Sequence, residues 1–362
     1  MKRTTEERSA LTSSATPDPP ANSATADPSV LSEPGSTSRA RPAWSLGALR
    51  LDRYSGLYLA IILAVVFSVL LPDTFGTVNN ARVIAGSAAI AGILTLAVTV
   101  SMASGTFDIS IAANMTFSIC LLGTLLTVAD LPWVVAVILT VAAGGLIGAV
   151  NAFLISTIGV EAIIATLGMS SVLAALSFWV ADGQTILLSG VGPTFTELGS
   201  ASIGSVPITV FYLAAVAIAL WYLMEHTPFG RYVYAIGSNP QAAKLAGIRV
   251  GRLTWLSLIL TGSLAALAGV VLTMQLGASS FGAGTPYLLP AFAATFLGST
   301  QILPGRFNVR GTIVALYLLT IAVKGLQLEF PDLPWIKDMV EGLVLLVAVS
   351  VTTRAIRGRK AR

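Results

Sequence analysis

The chain has 362 residues, of which 55% are hydrophobic and 10% charged, with a mean hydropathy of +0.82. An ordinary soluble domain is about 25% charged, so this composition cannot cover a globule with solvated side chains, and a soluble enzyme is excluded. A single cysteine, Cys120, and a single histidine, His226, exclude a disulfide framework and a Cys/His metal site, and neither G-x-x-x-x-G-K-[ST] nor H-E-x-x-H occurs.

Residues 1–52 are rich in Ser, Thr, Ala and Pro without apolar periodicity and read as a disordered tail. The first long apolar run starts near Gly56, too late for a secretory signal, so the tail is expected to be retained. Ten runs of suitable length for a helix across a hydrocarbon core of about 30 Å follow: 56–72, 83–104, 109–128, 132–155, 160–181, 206–224, 254–276, 286–302, 309–325 and 335–352. The eighth is diluted by Pro290, Gly298, Ser299, Thr300 and Gln301, and the ninth is bounded by Arg310 and Lys324, whose long side chains can snorkel. The runs do not alternate, which excludes a barrel. The expectation is an all-α polytopic membrane protein of about ten transmembrane helices over 53–353, with a basic tail at 354–362.

Cytoplasmic loops carry the excess of Lys and Arg. With the N-terminus inside, 18 of the 21 basic residues fall on inside segments, and Arg82, Lys324 and Lys337 fall outside. Both termini are therefore expected in the cytoplasm, beside the loop 225–253. The net charge of +4 is explained by topology, and no nucleic-acid partner is expected.

That loop contains His226 to Ile248, HTPFGRYVYAIGSNPQAAKLAGI, with local signals for a short helix. Asn239 can cap it, Pro240 suits the first position, Lys244 sits at the negative end of the dipole, and Gly247 suits the left-handed position after the end. A helix of about two turns is unstable alone, so it must dock, either as a connector on the membrane surface or on a partner.

The motifs here are Thr227-x-Phe229-Gly230-Arg231, Ala235-Ile236-Gly237-x-Asn239, Ala242-Ala243 and Gly247-Ile248, with Gly105-Thr-Phe-Asp108-Ile-Ser110, Asn151, Ile164-Ala-Thr-Leu-Gly168 and Gly183-Gln184 elsewhere. From about Gly56 to Val349 the chain resembles the permease subunit of ribose-type sugar ABC importers, within the group that includes branched-chain amino-acid permeases. The resemblance implies the ABC importer permease fold in a bacterial inner membrane. It makes the loop helix a coupling helix, with Phe229, Gly230, Arg231, Asn239, Pro240, Ala242, Ala243 and Gly247 as ATPase-coupling residues. It implies an ABC ATPase subunit that binds ATP and magnesium, an extracytoplasmic solute-binding protein, and a second permease copy or paralogue. This chain would need no cofactor and perform no covalent chemistry. The segment 297–311 departs from the pattern, with Pro304, Arg306 and Phe307 where sugar permeases carry small residues; altered solute specificity is expected from it.

Asp108 is read as a cap for the third helix. Asn151, Thr166, Gln184 and Gln275 are candidates for the translocation pathway, since each can hydrogen-bond a sugar hydroxyl; the alternative for each is a bond between helices. Trp133, Trp179 and Trp335 are expected at the membrane interfaces, and Gly144, Gly145 and Gly148 at a close helix contact. The rival class is an ion-gradient-driven secondary transporter, which would place ionisable groups at mid-membrane; the spans are nearly free of acids, Glu341 being the clearest exception.

Overall fold

The structure is a computed structural model, and it describes residues 51–360. The chain divides at residue 48, and the described residues lie in its second unit. The expected disordered tail, apart from Leu51 and Asp52 in the first helix, and the last two residues of the basic tail lie outside the described residues.

Thirteen α-helices are present among the described residues. In chain order they are α1 (Leu51–Leu70), α2 (Val78–Ala103), α3 (Ile111–Thr127), α4 (Trp133–Phe153), α5 (Ala162–Ala181), α6 (Pro193–Ser200), α7 (Ile208–His226), α8 (Pro228–Ser238), α9 (Pro240–Leu245), α10 (Val250–Leu276), α11 (Leu288–Gly298), α12 (Val309–Glu329) and α13 (Ile336–Lys360). A π-turn, Leu154–Ile158, extends α4. Each expected span falls on one helix. By length and composition, however, six are long and apolar enough to cross a membrane: α2, α4 with its π-turn, α5, α7, α10 and α12. Tyr54–Leu70 and α3 are shorter apolar helices. α11, with 11 residues, is about 16 Å long at 1.5 Å per residue, half a hydrocarbon core. α13 runs on through residues 354–360 of the basic tail.

The packing inverts the soluble pattern. α2 and α10 form the centre, with 78% and 72% of their apolar windows buried within the chain, against 22% for α5 and α7. The rim shows Val69, Leu146 and Trp179 at 74%, 66% and 77% exposure, side chains suited to lipid. Trp335 is also exposed, as an interfacial anchor would be, whereas Trp133 packs against Phe195 at 6.4 Å.

Apolar burial gives little drive for helices to associate in lipid, so close approach and hydrogen bonds must hold the bundle. The α4–α10 contact uses both. A Cβ at Gly148 would strike the Leu258 carbonyl, and one at Gly144 would meet Ala266 and the Gly262 carbonyl. Asn114 Nδ2 donates to the carbonyls of Gly144 (3.2 Å) and Gly262 (3.3 Å), tying α3 into the same contact. Around α2, Thr99 Oγ1 bonds Thr312 Oγ1 (3.1 Å), Thr295 Oγ1 donates to the Thr95 carbonyl (3.2 Å), and Thr261 Oγ1 to that of Ala97 (3.3 Å).

Between α10 and α11 the chain turns back into the bundle. Ser279 Oγ donates to the Ile119 carbonyl (2.7 Å) and Gly284 N to Thr116 Oγ1 (3.2 Å), so residues 277–287 run beside α3 before α11 begins. Two short antiparallel pairings lie near this segment and near α7: β1 (Ile186–Leu187) with β4 (Ala278–Ser279), and β2 (Ser202–Ile203) with β3 (Val206–Pro207).

Candidate functional site: the coupling loop, the buried polar knot and two chambers

α8 and α9 project from one end of the bundle. The Asn239 side chain accepts from Gln241 N (3.1 Å) and Ala242 N (3.0 Å), with Pro240 at the first helical position. At the other end Ile248 N donates to the Ala243 carbonyl (3.0 Å) and Gly247 N to that of Lys244 (3.1 Å), with Gly247 at φ +79°. This pair of bonds is a Schellman motif, so six residues are closed at both ends.

Of the eight expected coupling residues, Arg231, Asn239, Pro240, Ala242 and Gly247 are exposed, and Phe229 is half-buried. Gly230 and Ala243 are buried: Gly230 abuts the Met224 backbone, and Ala243 is 5% exposed. The helical period turns Ala243 inward and brings Leu245 out at 91% exposure. The apolar contact that α9 offers is therefore Leu245.

α8, a separate helix not expected from the sequence signals, precedes α9. Its face Gly230, Val233 and Ile236 is buried, packing with Ala103, Met224, Phe229, Tyr234 and Phe307. Here the unusual 297–311 segment finds its explanation. Arg306 stacks 3.5 Å over the Tyr234 ring, Tyr234 Oη donates to the Phe307 carbonyl (2.8 Å), and Phe307 meets Phe296 of α11 edge-on at 5.6 Å. Burial pushes the Tyr234 phenol up to about 12, with the Arg306 cation pulling the other way. Arg310 forms an ion pair with Glu225 at the end of α7. Arg306 and Phe307 thus clamp α8 to the α11–α12 turn; neither lines the two chambers described below.

The four pathway candidates separate. Asn151 and Thr166 join Asp108 in a buried knot where α3, α4 and α5 meet. Asp108 Oδ1 accepts from Ser110 N (2.9 Å) and Ser110 Oγ (2.6 Å), Asn151 Nδ2 donates to Ser110 Oγ (2.8 Å), and Ile109 N donates to Thr166 Oγ1 (3.2 Å). Asp108 therefore closes a turn two residues long ahead of α3, whose N-cap is Ser110, because a short carboxylate reaches its own chain two residues on. Asn151 Oδ1 is buried without a partner among the described residues. Gln184 is exposed after α5, and Gln275 is half-buried beside Gly86 and Pro207.

None of the four lines the two chambers. The first, about 500 Å³, lies among α2, α10, α12, α13 and residues 283–290, and includes Thr320, Lys324, Gln327, Lys337 and Glu341. The second, about 540 Å³, lies between Phe107, α11 and α13, with Phe292 stacked on Phe107 at 4.8 Å. Pro286 and Glu341 line both. Sequence reasoning noted Glu341 as an acid in a span but did not place it in a site; its i−4 neighbour Lys337 was the available signal. No cluster able to hold a metal ion occurs among the described residues.

Long apolar helices with an exposed apolar rim, polar contacts held inside and chambers between the helices define a multi-pass membrane protein. The family described as "branched-chain amino acid transport system / permease component" matches residues 80–349, and the chain belongs to it. Its relatives include the ribose import permease protein RbsC of Escherichia coli strain K12, 30% identical over 311 residues, 84% of this chain and 94% of that one. The RbsC of Bacillus subtilis strain 168 is 31% identical over 300 residues, 83% of this chain and 91% of that one. The fructose import permease protein FrcC of Rhizobium meliloti is 28% identical over 301 residues, 82% and 83% of the two chains. No solved structure matches the chain. Membership of a permease family favours import driven by partner subunits over the secondary-transporter class, and a transport subunit over an enzyme.

Proposed function

We propose that the chain is the membrane-spanning permease of an ABC importer for a small neutral sugar or polyol. The observation that carries this is α9: a six-residue helix closed at both ends, tied through α8 to the bundle, and displaying Leu245. A partner ATPase, which binds ATP and magnesium, takes α9 through the coupling residues, and the Tyr234–Arg306–Phe307 clamp passes its movement to α11. A solute-binding protein delivers the sugar at the opposite end. A second permease copy or paralogue completes the conduit, and the exposed apolar rim offers the surface for it.

In this reading ten segments cross the bacterial inner membrane, with α11 and the residues leading into it sharing one crossing, and both termini are cytoplasmic. Several contacts support one side for the termini and the loop. Gly56 N and Ser55 Oγ near the start of α1 donate to Gln301 Oε1 (2.8 and 3.2 Å), and Thr352 Oγ1 bonds Ser299 Oγ (3.0 Å). Both partners lie in the turn clamped to α8.

The test is uptake of labelled ribose, fructose and allose by proteoliposomes holding this chain, its ATPase and its binding protein. Uptake should require internal or external ATP on the ATPase side, be stopped by vanadate and be unaffected by ionophores. Uptake that persists without ATP and collapses with an ion gradient would overturn the reading.

A further inference from the structure

In a membrane-embedded bundle, irregular backbone is tolerated only where protein buries it or where it lines a water-filled cavity. Residues 277–287 are such a segment, running along α3 until α11 begins partway through the bundle. Both chambers open against its end, at Pro286. Opposite stands Glu341, 4% exposed, lining both chambers and forming no hydrogen bond or ion pair among the described residues. The carboxylate is therefore not committed to a partner side chain, and the Lys337 cation stands one turn before it on α13 in the lining of the first chamber.

The surrounding charges narrow what the carboxylate is for. Lys324 and Lys337 line the first chamber and Asp338 the second. Only taken together do the two chambers hold as many cations as carboxylates, with both lysines on the first-chamber side and Asp338 on the second. Asp338, Glu341, Leu345 and Val349 occupy one face of α13 at helical spacing, while Leu343, Leu346 and Val347 are exposed on the other. The chamber volumes fall within the range of small-solute pockets, about 300–1,000 Å³.

We propose that Glu341 is a hydroxyl-binding group of the conduit, standing between the two chambers and accepting hydrogen bonds from adjacent hydroxyls of a neutral polyhydroxylated solute as it passes. The two carboxylate oxygens offer about four acceptor sites and no donor, which suits vicinal hydroxyls. Lys324 and Lys337 donate to the solute's remaining oxygens on the first-chamber side. This inference rests on the sugar-importer reading above and adds the residue and the chemistry that distinguish one solute from another.

The experiment uses the complete importer in proteoliposomes and whichever of ribose, fructose and allose the wild type carries, together with its monodeoxy analogues. The readout is the ratio of uptake, intact sugar over analogue, measured at saturating loaded binding protein. Losing one partner of a charge-assisted hydrogen bond reduces discrimination by about tenfold to hundredfold. Glu341→Leu should therefore collapse the ratio for the analogue lacking the hydroxyl that Glu341 holds, and Glu341→Gln, which keeps the shape and one acceptor, should fall between. A wild-type ratio in Glu341→Leu overturns the proposal; if that variant does not assemble, a wild-type ratio in Glu341→Gln does so. A wild-type importer whose uptake depends on a proton gradient that Glu341→Gln abolishes also overturns it, since the group would then carry a proton. Failure of the wild type to carry any of the three sugars instead strikes the importer reading beneath it.

Discussion

Replacing Asn239 by alanine should weaken the coupling of ATP hydrolysis to solute while leaving the bundle assembled. The cap supplies two bonds, to Gln241 N and Ala242 N, at an exposed end of a six-residue helix. Helices shorter than about 12–15 residues are marginal in water, so α9 depends on its two ends and on Ala243. Losing an Asn cap costs about 1 kcal/mol, a fall of about fivefold in the ratio of formed to frayed helix. Gly247, at φ +79°, adds a second lever: alanine there costs about 1–2 kcal/mol in the left-handed region. The double variant should lower the ratio by nearly two orders of magnitude if the sites act independently. A partner that recognises only the formed helix then sees its apparent affinity fall by the loss in competent fraction. The assay is ATPase activity of the complete importer in nanodiscs, with and without loaded binding protein. Stimulation should drop modestly in Asn239→Ala, vanish in the double variant and return in Asn239→Asp, because aspartate caps equally well. Full stimulation in the double variant, or an Asp variant no better than Ala, would refute the reasoning.

Leu245→Glu changes a side chain 91% exposed, so thermal stability of the isolated chain should be unchanged while co-purification of the ATPase is lost; retained co-purification counts against Leu245 as the contact. Tyr234→Phe removes the bond to the Phe307 carbonyl, worth about 1 kcal/mol, and Arg306→Ala removes a stacked cation worth about 0.5–2 kcal/mol. Both should raise the protease sensitivity of the α11–α12 turn, and unchanged digestion would show that the clamp is idle. Gly148→Val drives a side chain into the Leu258 carbonyl, and the α4–α10 contact cannot open without breaking the Asn114 bridge; no monodisperse protein should elute from size exclusion, whereas a normal peak would contradict the close approach. A reporter fused after Arg354 should behave as cytoplasmic and one within 182–205 as external, by the partition of basic residues; an internal 182–205 loop would overturn the orientation.

Local chemistry made much of this protein legible before any tertiary structure. Asn239, Pro240 and Gly247 specify both ends of α9 through bonds that span only a few residues. The small residues Gly144, Gly145 and Gly148 mark the α4–α10 contact, because only their absence of side chain lets backbones meet in lipid. Apolar run length located the helices, six of them long and apolar enough to cross a membrane, since the membrane sets that length independently of the partner helices.

What only tertiary structure decided is what lies between helices. Asn151, Thr166, Gln184 and Gln275 look alike in sequence, yet the first two tie α4 and α5 to the turn ahead of α3, and none of the four lines the chambers. Arg306 and Phe307 depart from the pattern locally, but their meaning depends on Tyr234, more than 70 residues away. Ala243 and Leu245 both read as apolar positions on α9, and only docking turned one in and left the other out. Glu341 stands where two chambers meet because α11 begins partway through the bundle and α13 faces it. Hydrophobicity reports whether a residue is in the membrane; which neighbour it meets depends on helix rotation and crossing, and these are set by contacts between residues far apart in the chain.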